Sequence, residues 1–312
     1  MTTFCLKHSY TDPYFNLATE EYLLKNFTED FFIIWQSKQS VVVGKHQNAL
    51  AEINHRFVRD NHIHVARRLS GGGTVFHDPG NVNFTFIRTV NEISEVNFTI
   101  FTRPVVQALQ KLGVGAYSTG RNDLMADGKK ISGNAEHVYK KRVLHHGTLL
   151  FNSDLSALKG ALNVDLSRFE DKSVQSNRSP VTNIFAFLKK PMTVDDFADF
   201  IFDEVQNSFS EKEMYQMTGA DIAAISTLRN EKYATWDWNY GYSPKYVFRN
   251  KIPTPSGEIS IEMSVIKGII REIKAEGLSP GVLQTIIGRR HHEEDFQDLQ
   301  IQEAELLREL LF

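Results

Sequence analysis

Short apolar runs bounded by turn residues dominate the first half of the chain. Residues 31–35 (FFIIW) and 40–44 (SVVVG) are brief, β-rich and closed by polar or glycine positions, which predicts strands. Residues 82–90 (VNFTFIRTV) alternate well enough for a half-buried strand, and GTLLFNSD, from Gly147, reads as another. A 3.6-residue period appears instead over residues 16–25, where Leu17, Tyr22, Leu23 and Leu24 fall near one face and Asn16 can cap. Residues 101–113 predict a helix with Pro104 in its first turn and Gly113 at its end. Thr193 and Asp196 form a capping-box start to a further helix, with Phe197, Phe200, Ile201 and Val205 as its apolar stripe.

The pattern changes at the aromatic stretch of residues 235–246 (TWDWNYGYSPKY). Beyond it Ile259, Ile261, Met263 and Val265 alternate as a strand, Lys267-Gly268 offers a turn, and Ser279-Pro280 starts a helix. Residues 302–311 (QEAELLRELL) predict a closing helix. The order of elements gives an α+β fold. A large catalytic domain with a mixed β-sheet and flanking helices, residues 1–243, precedes a small C-terminal α+β accessory domain, residues 244–312. Trp236 and Trp238 read as core anchors of the junction.

Composition narrows the class. With 312 residues, 41% hydrophobic and 23% charged, the chain can bury a sizeable core. A net charge of −3 gives no whole-molecule pull toward nucleic acid or anionic membrane, so any basic site is local. The single cysteine, Cys5, excludes an internal disulfide framework and reads as a small buried hydrophobe. No secretory leader pattern opens the chain and no run approaches a bilayer-spanning length, so the expectation is a soluble cytoplasmic protein.

Three stretches carry chemistry. In ARRLSGGGTVFHDPGN three consecutive glycines, Gly71, Gly72 and Gly73, follow the cations Arg67 and Arg68. Glycine loses the most backbone freedom on folding, so a triplet implies positive φ or close approach of a ligand to the main chain. The pattern lacks the Gly-Lys-Ser/Thr of a phosphate-binding P-loop, and a strand-like run follows where a dinucleotide fingerprint needs a helix. An anion held by loop N–H groups with Arg67 and Arg68 supplying charge competes here with a plain tight turn. In GRNDLMADGKKISGNA, Asn122 and Asp123 are oxygen donors suited to Mg²⁺ beside a phosphate, and Lys130 precedes the small residues Ser132 and Gly133. Lys129 and Lys130 read equally well as solvated residues of a hairpin whose turn is Asp127-Gly128. In LHHGTLLF, His145 and His146 are adjacent on a strand and point to opposite faces, which argues against a paired-histidine metal site. Residues 289–295 (RRHHEED) read as a solvated linker and Lys140 to Arg142 as a hairpin tip.

Taken in order and spacing, RRxxGGGxVFHDxGN, GRNDL, KISGxA and HHGTLL resemble the lipoate–protein ligases. DPYFNLATEEYL, WQSKQSVVVGKHQNALAEIN, RSPVTNI and WDWNYG are similar to that family as well, so the likeness covers nearly the whole chain. The resemblance implies ATP-dependent joining of lipoate to a carrier lysine through lipoyl-AMP, with ATP and Mg²⁺ required. Lipoyltransferases that accept preformed lipoyl-AMP share most of the motifs. Arg68 and the glycine loop would bind the adenylate, with Gly73, Thr74, Val75 and Phe76 along it and His77 beside them. Lys130 would contact the lipoate carboxyl and the α-phosphate, with Asn122 and Asp123 at nucleotide and metal. Ser132, Gly133, His146 and Thr148 complete the binding set. An apolar slot for the acyl chain would draw on residues 40–44 and Phe76. The implied partners are apo lipoyl domains of 2-oxoacid dehydrogenase complexes and the glycine cleavage H protein.

Overall fold

The computed structural model describes residues 2–92, 97–120, 122–162, 164–177, 179–255, 257–296 and 304–312. Arg121, Arg178, Gln302 and Glu303, which figure in the motifs and the closing helix above, lie outside the described residues.

The chain parts into two compact units, and the division is not at one point. The first comprises Met1–Lys45, Ile63–Lys159 and Ser176–Ala234; the second His46–His62, Gly160–Gln175 and Thr235–Phe312.

An eight-stranded sheet forms the frame of the first unit, in the order Lys212–Met214, Thr3–Lys7, Asp30–Trp35, Asn81–Thr89, Arg142–Leu150, Lys129–Tyr139, Asp123–Ala126, Ala116–Ser118. The Thr3–Lys7 strand is parallel to both its neighbours and the remaining pairs are antiparallel, so the sheet is mixed. Strand periodicity sorts the two faces. Phe32, Ile34, Phe84 and Phe86 join one core with Phe101, Val105 and Leu109 of the helix Phe98–Lys111 and Phe197, Ile201 and Val205 of the helix Val194–Gln206. The alternate residues Trp35, Thr85 and His146 fall on the opposite face, where Thr85 and His146 meet Glu20 of the helix Pro13–Asn26. A separate three-stranded sheet orders His64–Arg67, Ser40–Val43 and Val75–His77.

Local signals hold with some shifts. The Thr193–Asp196 capping box forms as expected. The first helix is capped by Asp12, whose carboxylate accepts from the Tyr14 and Phe15 amides. Asn16 lies inside it and donates to the Gln36 carbonyl. Pro104 is interior rather than first-turn, because the helix begins at Phe98 behind an Asn97 cap. Strong flanking burial tolerates the one N–H that the proline removes. Gly113 ends the helix at φ +82°. The Cys5 thiol is buried, and desolvation pushes its pKa up to about 11.

The second unit has an antiparallel four-stranded sheet, Phe169–Asp171, Tyr246–Thr254, Gly257–Ile266 and Ile269–Glu276. Its early segments are woven in: Asn48 donates to Asp171 at 3.0 Å and the Ala49 amide to Ser243 at 3.2 Å. Trp236 packs over Gly268, where a Cβ would come within 2.3 Å of its ring.

Residues 289–295 are not the solvated linker that their charge predicts. Arg290 pairs with Asp295 at 2.6 Å, and His291 is 1% exposed. The Tyr246 hydroxyl meets His291 Nδ1 at 2.7 Å, and Nε2 donates to the Leu311 carbonyl at 2.6 Å, which places a ring proton on Nε2. Burial lowers the pKa of His291 to about 3, of His77 to about 3, and of His8 and His55 to about 4. An unfolded chain takes up these protons near pH 6.5, so stability is intact above that value and falls as pH drops toward 4. Each such group contributes a slope of about 1.4 kcal/mol per pH unit in that window. Urea unfolding midpoints at pH 7, 6 and 5 check this; a flat profile contradicts it.

Candidate active site

The glycine loop links two strands that lie on opposite sides of Ser40–Val43, His64–Arg67 running parallel to it and Val75–His77 antiparallel. The Arg68 amide donates to Val43 and the Lys45 amide to the Ser70 carbonyl, pinning the loop at its start. The cations turn inward. Arg68, 4% exposed, donates from Nε to Ser70 Oγ (2.9 Å), from Nη1 to the Val42 carbonyl, and from Nη2 to the carbonyls of Gly71 (2.6 Å) and Gly73 (2.7 Å). Arg67 is fully buried and donates to the carbonyls of Gly44 and Lys45. Both arginines therefore shape the backbone, so their charge acts through the loop rather than as open counter-ions. Three bonds to carbonyls and one to a hydroxyl hold a guanidinium far more rigidly than solvent does.

The three glycines are not equivalent. Gly72 sits at φ +83°, and a Cβ there would be 3.2 Å from Arg68 Nη2. A Cβ on Gly73 would stand 3.1 Å from Ser176, whose Oγ accepts from the Thr74 amide at 2.8 Å. Nothing lies within 4 Å of a Cβ on Gly71 and its φ is not left-handed. Gly71 to Val75 are partly exposed, whereas Phe76, His77 and Val41 to Val43 are buried.

Lys130 is presented by the hairpin of Asp123–Ala126 and Lys129–Tyr139. Asp127 and Gly128, at φ 48° and 70°, make its turn. A register shift after Leu124 pairs Met125 with Lys130, two residues before Ser132. Lys130 Nζ lies 2.7 Å from Asp123 Oδ1, both side chains 21% exposed. Gly133 makes room for the stem, since a Cβ there would be 3.2 Å from both Cε and Nζ and 3.8 Å from Val75 Cγ1. The Lys130 amide and carbonyl bond to Pro180 and Thr182, fixing the backbone beneath the side chain. Thr148 Oγ1 accepts the Gly133 amide at 3.1 Å, and buried Ser132 accepts from Asn134 Nδ2 at 3.2 Å. The Asn122 carbonyl accepts both the amide and the side chain of Asn134, which leaves the Asn122 side chain exposed. A cavity of about 480 Å³ is lined jointly by Gly71, Gly72, Phe98, Asn122, Asn134 and Glu136. The folded chain thus brings the glycine loop and the Asn122 turn, some fifty residues apart, onto one hollow.

The two histidines diverge as strand geometry predicts, but neither reaches solvent. His145 bonds Glu136 (2.9 Å) and Asn134 (3.2 Å) and stacks on Phe101; burial lowers its pKa. His146 bonds Ser70 (2.6 Å) and Glu20 (3.0 Å). Sequence reading missed Glu20, Ser70 and Ser176. The signal for the first was two adjacent acids, Glu20 and Glu21, set among Leu17, Ala18, Leu23 and Leu24. Nothing in the sequence marks Ser176. No cluster of three metal-binding side chains occurs among the described residues.

A family profile described as the lipoyl protein ligase A/B catalytic domain matches residues 12–206, which include the glycine loop, the Asn122 turn, Lys130 and the two histidines. The chain belongs to that family. Among curated relatives of the lipoyl protein ligase family, lipoate–protein ligase 1 of Staphylococcus aureus is 42% identical over 276 residues, covering 88% of this chain and 84% of the relative. A lipoate-protein ligase A crystallised with ATP superposes with a TM-score of 0.64 at 25% identity, over 78% of this chain and all of that one. P. falciparum LipL1, crystallised in complex with lipoate, shares the fold over 99% of this chain and 98% of its own, at a TM-score of 0.66 and 23% identity.

Proposed function

We infer that the protein is an ATP-dependent lipoate–protein ligase. Family membership gives the enzyme class, and the Lys130–Asp123 pair beside the glycine loop supports the reaction. In the first step a lipoate carboxylate oxygen bonds to the α-phosphorus of ATP while the α–β bridging P–O bond breaks, giving lipoyl-AMP and pyrophosphate. Two anions must meet, so the barrier is electrostatic. A single ammonium at Lys130 can face the carboxylate and the α-phosphate at once, while the N–H groups of the partly exposed residues Gly71 to Gly73 donate to phosphate oxygens. In the second step a neutral carrier lysine amine attacks the acyl carbon, the acyl–oxygen bond breaks, AMP leaves, and the amine proton passes to solvent. Buried Cys5, with its pKa raised to about 11, is no nucleophile for either step.

Magnesium uses few protein ligands and keeps phosphate oxygens and water, so one carboxylate suffices. Asp123 fits, and a magnesium ion held there would screen the phosphates. The carriers are lipoyl domains of 2-oxoacid dehydrogenase complexes or the glycine cleavage H protein. The first unit holds the chemistry and the second, with residues 244–312, is accessory. No helix among the described residues is long and apolar enough to cross a membrane.

Pyrophosphate release separates this reading from a transferase that takes only preformed lipoyl-AMP. The expected result is lipoate-dependent pyrophosphate release from MgATP. Acyl transfer from supplied lipoyl-AMP with no pyrophosphate release from ATP would favour the transferase.

A further inference from the structure

A continuous buried hydrogen-bond chain runs from the first helix to the glycine loop. Trp35 Nε1 donates to Thr85 Oγ1 (3.0 Å), and Thr85 donates to Glu20 Oε1 (2.6 Å). His146 Nδ1 lies 3.0 Å from both Glu20 oxygens, and its Nε2 lies 2.6 Å from Ser70 Oγ. Ser70 in turn accepts from Arg68 Nε at 2.9 Å, and Arg68 holds the carbonyls of Gly71 and Gly73. All of Trp35, Thr85, Glu20, His146, Ser70 and Arg68 are buried.

The proton count gives the chain a direction. Arg68 can only donate, so it takes one Ser70 lone pair. The Glu20 carboxylate can only accept, so the proton of a neutral His146 ring lies on Nδ1, and Nε2 is left to accept the Ser70 hydroxyl proton. The Ser–His–acid order matches that of a nucleophile triad. Here, however, Ser70 is 0% exposed and its oxygen already receives a guanidinium proton, which disfavours attack on any substrate.

We propose that Glu20 is a positioning residue: acting through His146 and Ser70 it sets the orientation of Arg68 and so the shape of the glycine loop. The proposal builds on the ligase reading for its consequence, yet its test needs no substrate. In the ligand-free protein, the Lys45 amide is held by the Ser70 carbonyl and the Thr74 amide by Ser176, at the two ends of the loop. Hydrogen exchange at these two amides reports loop opening. In Ser70→Ala, exchange at both rises about tenfold or more, the scale of one charge-assisted hydrogen bond, while sheet amides such as those of Phe84 and Phe86 are unchanged. Glu20→Gln moves the same two amides in the same direction, and the double variant is no faster than the quicker single one, because both cut one path. Unchanged loop exchange in Ser70→Ala, or effects of the two variants that multiply, would overturn the proposal. Should Glu20→Gln not fold, His146→Gln, which cuts the link between Glu20 and Ser70, takes its place with the same two amides and the same double-variant comparison. A wild-type protein without pyrophosphate release would sink the ligase reading and leave this test standing.

Discussion

Lys130→Ala lowers the rate of lipoate-dependent pyrophosphate release by about two orders of magnitude or more, with little change in Tm. Removing one preorganised charge that acts on the reacting anions typically costs ~3 kcal/mol of transition-state stabilisation, which sets that scale. The fold survives because the lysine is on a hairpin whose backbone is held by Pro180 and Thr182, not by its side chain. The Asp123 carboxylate that it leaves is 21% exposed and can be solvated. Lys130→Arg does not restore the rate: the stem lies against Gly133, and the broad guanidinium cannot occupy the point-like position of Nζ. A Lys130→Ala enzyme within threefold of the wild-type rate contradicts the assignment.

Gly72→Val abolishes tight binding of a non-hydrolysable lipoyl-adenylate analogue, and it also lowers Tm. A β-branched residue at φ +83° is strained, and its Cβ would press on Arg68 Nη2, the group that holds the loop carbonyls. The expected cost is on the order of 1–3 kcal/mol, a fall in Tm of several degrees, with affinity down at least tenfold. Gly71→Ala separates the two effects. Its Cβ meets nothing and its φ is ordinary, so Tm holds; a loss of affinity there is caused by the ligand alone. Normal calorimetric binding by both variants would mean that the glycines serve only the turn.

The sequence carried the class because anion chemistry needs particular residue types at particular spacings. Gly72 at positive φ, the Asp127-Gly128 turn and Lys130 beside Gly133 are local requirements, and local requirements are legible. Partner choice is not. Arg68 looks like a free counter-charge in the sequence and becomes a buried organiser only because strand pairing brings Val42, Ser70 and the glycine carbonyls to it. His291 sits in a run of charges and is nevertheless core, since Tyr246 and Leu311, distant in sequence, close around it. Glu20 is similar: it stands among Leu17, Leu23 and Leu24, but only the sheet supplies Thr85 and His146. The interleaved segments His46–His62 and Gly160–Gln175 join the second unit through strand pairing and caps that no composition shift announces.

The most direct measurement is the mass of the carrier. The wild-type protein is incubated with lipoate, MgATP and an apo lipoyl domain, and the domain is weighed by mass spectrometry before and after. The ligase account predicts a gain of one lipoyl group on one lysine that requires all three components and disappears when ATP is omitted. A carrier of unchanged mass in the complete mixture, with the same domain lipoylated by an established ligase, contradicts it.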